Sequence, residues 1–210
     1  MNVTKKWLYF TIGVLINSFG IALITKGALG TSPISSVPYV LSLRFPFLSF
    51  GMTTFLINTI FILIQVFLLK KDFKPLQFLQ FGINIVFSVF IDFSMGILSF
   101  LEVSSFWMQC LILLLGCLVL ALGINFEVAP KIMFVPGEGA VQAISDTFHT
   151  NFGKTKVAFD TTLMSTALLL SFLFFGRLNG LGVGTIISAL IVGIFVNGIR
   201  NILHLEKHFS

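Results

Sequence analysis

The sequence predicts an all-α membrane protein: six transmembrane helices in two inverted three-helix repeats, each with a re-entrant, proline-led half-helix. Composition is the first reason. Of the 210 residues, 56% are hydrophobic and 10% are charged, whereas a soluble domain has about 25% charged residues. Long apolar runs recur along the chain, and glycine, proline and polar residues recur at matching places in its two halves.

Six apolar runs are long enough to cross a bilayer as helices, which rise roughly 1.5 Å per residue. They are residues 7–25, 52–69, 75–100, 106–126, 157–175 and 181–203. No small-residue cleavage site follows the first run, so we expect an uncleaved span. Glycine and proline interrupt segments 27–44 and 127–150. A short helix is predicted at Pro33, capped by Ser32, and another at Pro136, because proline suits the first helical position.

The two halves of the chain match at a nearly constant offset. At 103 residues Gly13 aligns with Gly116, Gly20 with Gly123, and Pro33 with Pro136, and at 105 residues Asp92 aligns with Asn197. Glycine, proline and polar matches in one order do not arise readily by chance. We therefore expect a first repeat over residues 1–104 and a second over 105–210, together forming one structural domain.

The distribution of Lys and Arg predicts the orientation. If the short helices do not cross, an N-terminus inside places ten basic residues on the inner side and three on the outer. If both cross, the count is seven against six. Cytoplasmic loops carry the excess of positive charge, so the sequence favours six spans with both termini cytoplasmic. Three spans per half, an odd number, makes the halves inverted.

Broken segments at matching places of inverted repeats are typical of transporters that bind solute near the midplane. A helix start presents free N–H groups and partial positive charge. The candidate substrate- or ion-binding residues are Pro33, Ser35, Ser36, Asp92, Pro136, Gly137, Glu138, Gly139 and Asn197. Glu138 could carry a proton or cap its own helix. Asp92 and Asn197, inside spans, could bind a ligand or a neighbouring helix.

Other patterns argue against further chemistry. No P-loop, HExxH, GxGxxG or nucleophile-elbow motif occurs, so neither an enzyme nor a cofactor is expected. The basic residues form short clusters between apolar runs, which does not favour nucleic acid. Glu127 and Lys131, four apart, are expected to form an interfacial ion pair. His204 and His208 have no third ligand, so no metal site is expected.

Two short motifs resemble the YczE/YyaS/YitT family of bacterial membrane proteins. Residues 26–33 read KGALGTSP and residues 49–51 read SFG, similar to that family's first-repeat signature, while residues 136–139 read PGEG, similar to its second-copy P-x-D-G. The chain departs at Ile34 and Ser35, where the family usually has Trp-Asp. The resemblance implies a bacterial inner-membrane protein, often guessed to be a transporter.

The leading functional hypothesis is a secondary transporter of a small solute, coupled to protons or another cation. One alternative is a substrate-binding membrane subunit that needs an energising partner. Another is a non-transporting scaffold or accessory factor for a partner enzyme. The expected partners are the lipid bilayer and a small molecule or ion, and a bundle this small is compatible with a homodimer.

Overall fold

The computed structural model describes residues 3–205, which form eight α-helices and no β-strand. The helices are α1 Val3–Lys26, α2 Ser36–Arg44, α3 Phe50–Leu69, α4 Leu79–Ile97, α5 Phe106–Val128, α6 Pro136–Phe148, α7 Phe152–Phe175 and α8 Val183–Leu203. Short 3-10 turns extend them at Pro33–Ser35, Lys70–Asp72, Pro75–Phe78 and Leu98–Phe100. His208, and Lys207, which is one of the ten basic residues counted on the inner side, lie outside the described residues.

Six helices, α1, α3, α4, α5, α7 and α8, are long and apolar enough to cross a membrane, which confirms the six predicted spans. Several begin earlier than the apolar runs do. The start of α7 is the clearest case, because Asn151 accepts hydrogen bonds from the backbone N–H groups of Gly153 and Lys154. Such capping satisfies the free donors of a first helical turn. Ser49 caps α3 in the same way through Met52.

The two short helices begin at the predicted prolines. Pro33 opens the 3-10 turn that leads into α2, and Pro136 is the first residue of α6. Ser32 occupies the capping position, but its hydroxyl donates to the Ser35 hydroxyl at 3.0 Å, so the predicted cap is not formed. With 9 and 13 residues, α2 and α6 are roughly 14 and 20 Å long. Neither can span a hydrocarbon core of roughly 30 Å.

Helices α1 and α5 pack against each other in opposite directions at the centre of the bundle. Glycines allow their backbones to approach closely, as is common between membrane helices. On α1, a Cβ added to Gly13 would collide with the Glu127 backbone, and one added to Gly20 would lie 2.6 Å from the Leu120 backbone nitrogen. On α5, a Cβ added to Gly116 would lie 2.7 Å from the Ile24 nitrogen, and one added to Gly123 would lie 2.5 Å from the Asn17 nitrogen. No side chain larger than hydrogen fits at these four positions without movement.

The remaining helices surround this central pair in matching ways. Helix α4 packs on α1, and α8 packs on α5. Helix α2 contacts both α3 and α7, and α6 contacts the same two helices. Each short helix is therefore held between the long helices α3 and α7.

The two halves differ in the contact between their last two long helices. Helix α3 packs along α4, and Asn58 donates to the Asn84 side chain at 2.9 Å between them. Helices α7 and α8 make no comparable contact. About a third of the apolar window is buried in α3 and α4, against 11% in α7 and 6% in α8. The second half is thus the more open one.

Candidate functional site

The start of α6 is held by close contacts of its two glycines. A Cβ on Gly137 would collide with the side chain of Ile34, at the start of the other proline-led segment. A Cβ on Gly139 would lie 2.6 Å from Oε1 of Gln65 on α3. The two predicted half-helix starts therefore touch each other, and both glycines lie at close contacts with side chains of the first half.

A pair of buried glutamines anchors this start to α3 and α4. Gln65 and Gln80 exchange side-chain hydrogen bonds of 2.9 and 3.0 Å, and Nε2 of Gln65 also donates to the Pro136 carbonyl at 3.1 Å. Their exposed fractions are 0% and 1%. Sequence reasoning missed both residues, although polar side chains near the ends of apolar runs were a visible signal.

Glu138 lies in the first turn of α6 and faces a lysine. Its Oε1 is 3.9 Å from Nζ of Lys156 on α7, and the same Nζ is 2.8 Å from Oδ1 of Asp160. About a quarter of each of these side chains is exposed. Because a helix start also carries partial positive charge, the Glu138 side chain lies between two positive influences.

A second carboxylate, which the sequence analysis assigned to an interfacial ion pair, is buried nearby. Glu127 is 3% exposed, and Nδ2 of Asn17 on α1 donates to its Oε2 at 3.1 Å. Helix α5 ends at Val128, so Lys131 lies beyond the helix and is exposed. The predicted Glu127–Lys131 pair was therefore wrong. The helix end between the two residues removes the spacing on which it depended.

The serines of the first half make local hydrogen bonds. The Ser36 hydroxyl donates to the Pro33 carbonyl at 2.6 Å, and Ser35 accepts from Ser32. Both Ser35 and Ser36 are buried. They lie beside Ile34 and so at the junction of the two half-helix starts, where a ligand would have to replace these local bonds.

The structure does not bring Asp92 and Asn197 to that junction. Asp92 accepts hydrogen bonds from the Gly51 backbone N–H at 2.7 Å and from the Ser49 hydroxyl, and thus fixes the start of α3. Asn197 is exposed on α8. Their binding roles stay predictions, and the contacts of Asp92 are those of a helix cap.

A cleft of about 1000 Å³ opens at one end of the bundle. It lies between the α3–α4 connection, the α5–α6 connection, α6 and the end of α8, and it reaches Gln80 and Gly139 beside the glutamine pair. The cleft therefore leads from the outside of the bundle to the start of α6.

The charged lining of this cleft is mixed, with more basic than acidic groups. It contains Lys74, Lys131 and Arg200, and it contains Asp72 and Asp146. Gln142 donates to Oδ1 of Asp146 at 2.7 Å. A polar lining of both signs can be hydrated and can admit a polar solute.

At its other end, α8 packs against the connection between α1 and α2. The Gly184 backbone N–H donates to the Leu29 carbonyl at 2.9 Å, and Thr185 accepts from the Thr31 N–H at 3.2 Å. A Cβ on either Gly182 or Gly184 would collide with Leu29. The connection between α1 and α2 is therefore sealed onto the start of α8.

The helices, the cleft and the polar groups beneath it define a multi-pass helical membrane protein. The chain belongs to a family of unknown function, DUF6198, whose model matches residues 4–201. It is similar to the uncharacterized protein YyaS of Bacillus subtilis (strain 168), with 26% identity over 210 residues that cover 97% of this chain and 96% of that protein. These matches confirm the resemblance seen in the short motifs. No solved structure matches the chain.

Proposed function

We propose that this protein is a secondary transporter of a small polar solute, built from two inverted repeats. In this proposal the solute binds where the two proline-led half-helices meet, and the cleft is the path to the cytoplasm. The cleft-side connections and both termini are cytoplasmic, and the membrane is the bacterial inner membrane. The protein acts without enzymatic chemistry.

Paired contacts support the inverted repeat. Gly13 meets Glu127 as Gly116 meets Ile24, and Gly20 meets Leu120 as Gly123 meets Asn17. Within each of these two pairs, adding 103 to the residue number on α1 and subtracting 103 from the residue number on α5 converts one contact into the other. Because α1 and α5 run in opposite directions, the operation relating them is a twofold rotation across the helix direction. Ile34 and Gly137, related by the same offset, touch each other and so lie on that axis.

The contacts of the short helices support re-entrance. The Arg44 guanidinium at the end of α2 lies 5.8 Å from the Phe174 ring, near the end of α7. That is the end of the bundle where Leu29, just after α1, meets the start of α8. Phe134, just before α6, stacks on Phe152, just after it, at 6.3 Å between ring centroids. Each short helix therefore returns to the side from which its segment came.

The observation that carries the transport proposal is the junction of Ile34 and Gly137 beneath a cleft that opens at one end of the bundle. In hydrocarbon an irregular backbone is stable only when it is buried in protein or lines a wet cavity, and half-helix starts at a repeat interface form solute sites. In alternating access, the contact between Leu29 and Gly184 would open while the cleft at the opposite end of the bundle closes. The structure would then be the inward-facing state.

A ligand screen followed by flux tests this function. Purified protein is heated with a panel of metabolites and ions, and a compound that raises the midpoint of unfolding by mass action is added outside proteoliposomes that contain the protein. We expect uptake by wild type and at least a tenfold loss in Glu138→Gln. Glu102→Gln, at an exposed carboxylate outside the helices, is the matched control and should transport normally.

Other outcomes would redirect the proposal. A compound that binds without flux, together with copurification of an ATPase, would favour a substrate-binding subunit. Neither binding nor flux, with Glu138→Gln as stable as wild type, would favour a scaffold and leave Glu138 as a helix cap.

Thiol labelling tests the orientation and the re-entrance together. With Cys110 and Cys117 replaced by alanine, Thr147→Cys and Ser104→Cys are exposed to a membrane-impermeant maleimide. Six spans place the cleft residue Thr147 inside and Ser104 outside, so they should label in inverted and right-side-out vesicles respectively. Eight spans would place both on the same side, and labelling of both from one side would refute the re-entrant helices.

A further inference from the structure

Glu127 is buried where α5 is most tightly packed on α1. Gly13 brings the backbone of α1 against the Glu127 backbone, and the carboxylate accepts from Asn17 across the same interface. The backbone N–H of Val135, just before α6, also faces the carboxylate. The side chain therefore joins the central helix pair to the start of the second half-helix.

No cation neutralises this carboxylate within residues 3–205. Neither of the two salt bridges there includes Glu127. Lys156 on α7 is engaged by Glu138 and Asp160, and Lys131, in the connection to α6, is exposed. Among the charged groups of the described residues, the one that acts on Glu127 is Glu138 on α6, which has the same sign of charge.

In the described part of the chain, the elements packed around Glu127 place no cation in a salt bridge with it. Helix α1 presents the Asn17 amide, which is neutral. Arg200 of α8 lines a small pocket with Val128 and Ala129, to which Glu127 does not contribute. An ionised carboxylate buried without a cation costs several kcal/mol, and ionisable groups inside membrane helices are rare unless they function.

We propose that Glu127 and Glu138 form a proton-binding site in which Glu127 holds the proton and Glu138 exchanges it. Nδ2 of Asn17 donates to Oε2 of the acid, the Val135 N–H faces the same carboxyl group, and the proton resides on the other oxygen, Oε1. On release the Glu127 O–H bond breaks, and the proton forms an O–H bond with Glu138 or with water. Glu138, one-quarter exposed, connects the buried site to solvent.

The surrounding donors favour a proton over a metal ion. The two polar groups that face Glu127 are N–H donors, whose hydrogens would repel a cation, whereas sodium and divalent ions need several oxygen ligands. Within the described chain no group of three His, Cys, Asp or Glu could hold a metal. This inference deepens the proposed transport function. The coupling of the proton to a solute rests on that function, whereas the proton site itself does not.

Infrared difference spectroscopy tests the site without any transported solute. As pH is raised, purified wild type should lose the C=O band of a protonated carboxylic acid. Glu127→Gln should lack this band at every pH. Glu138→Gln should keep it but change the pH at which it titrates, while Glu102→Gln should match wild type.

A chemical readout on wild type covers the case in which Glu127→Gln does not fold. A hydrophobic carbodiimide reacts with protonated carboxyl groups, so mass spectrometry should find an adduct at Glu127 that disappears as pH rises. Adducts only at other carboxyls, or protection of Glu127 by sodium but not potassium at constant pH, would overturn the proton site. A confirmed site with no flux would refute transport alone.

Discussion

Replacing Gly20 by alanine is expected to destabilise the protein by about 3 kcal/mol, because overpacking at a rigid contact costs of this order. The new Cβ would lie 2.6 to 2.9 Å from the backbone and Cβ of Leu120, and backbone cannot rotate away as a side chain can. Gly123→Ala should cost a similar amount, since its Cβ would meet the Asn17 backbone at the equivalent place. Detergent-titration unfolding of the purified variants measures both.

Gly82→Ala and Gly193→Ala are the matched controls. Both glycines lie within long helices, and a Cβ on either would meet nothing within 4 Å. Alanine has the higher helix propensity by roughly 1 kcal/mol, so these variants should be as stable as wild type or more so. If Gly20→Ala and Gly82→Ala unfolded at the same detergent concentration, the tight packing of α1 on α5 would be wrong.

The architecture could be predicted from the sequence where a feature repeats along the chain. Apolar runs predicted all six long helices, since hydrocarbon requires a minimum length of apolar helix. The offset of 103 residues paired Gly20 with Gly123 before any contact was known, and these two glycines make equivalent contacts in the structure. The prolines located both short helices because their ring fits only the first turn of a regular helix.

What the sequence could not provide was the partner of each polar side chain. Asp92 looked like an isolated acid inside a span, yet it binds the start of α3, 41 residues away from it at Gly51. Glu127 looked paired with Lys131, but its partner is Asn17, 110 residues away. Such partners depend on which faces of two helices pack together. The apolar pattern of a helix that carries polar residues on several sides does not determine those faces.

The glutamine pair offers the second large effect. Gln65→Leu is expected to lower the free energy of unfolding by about 1–3 kcal/mol, because it leaves the buried Gln80 amide without its partner. It also removes the side-chain hydrogen bond to the Pro136 carbonyl, which keeps its bond within α6. Gln80→Leu should cost less, since Gln65 would still donate to Pro136 at 3.1 Å. Hydrogen exchange should also quicken in the first turn of α6 for Gln65→Leu, because that turn loses its anchor on α3.

The double variant Gln65→Leu/Gln80→Leu separates pairing from mere loss of polarity. Replacing both partners of a buried hydrogen bond by apolar groups removes the unsatisfied amide, so the double variant should be more stable than the sum of the single losses predicts. Gln109→Leu, at a half-buried glutamine with one long contact of 3.4 Å to the Val103 carbonyl, controls for the substitution. Strictly additive losses at positions 65 and 80 would mean that the two glutamines do not act as a hydrogen-bonded pair.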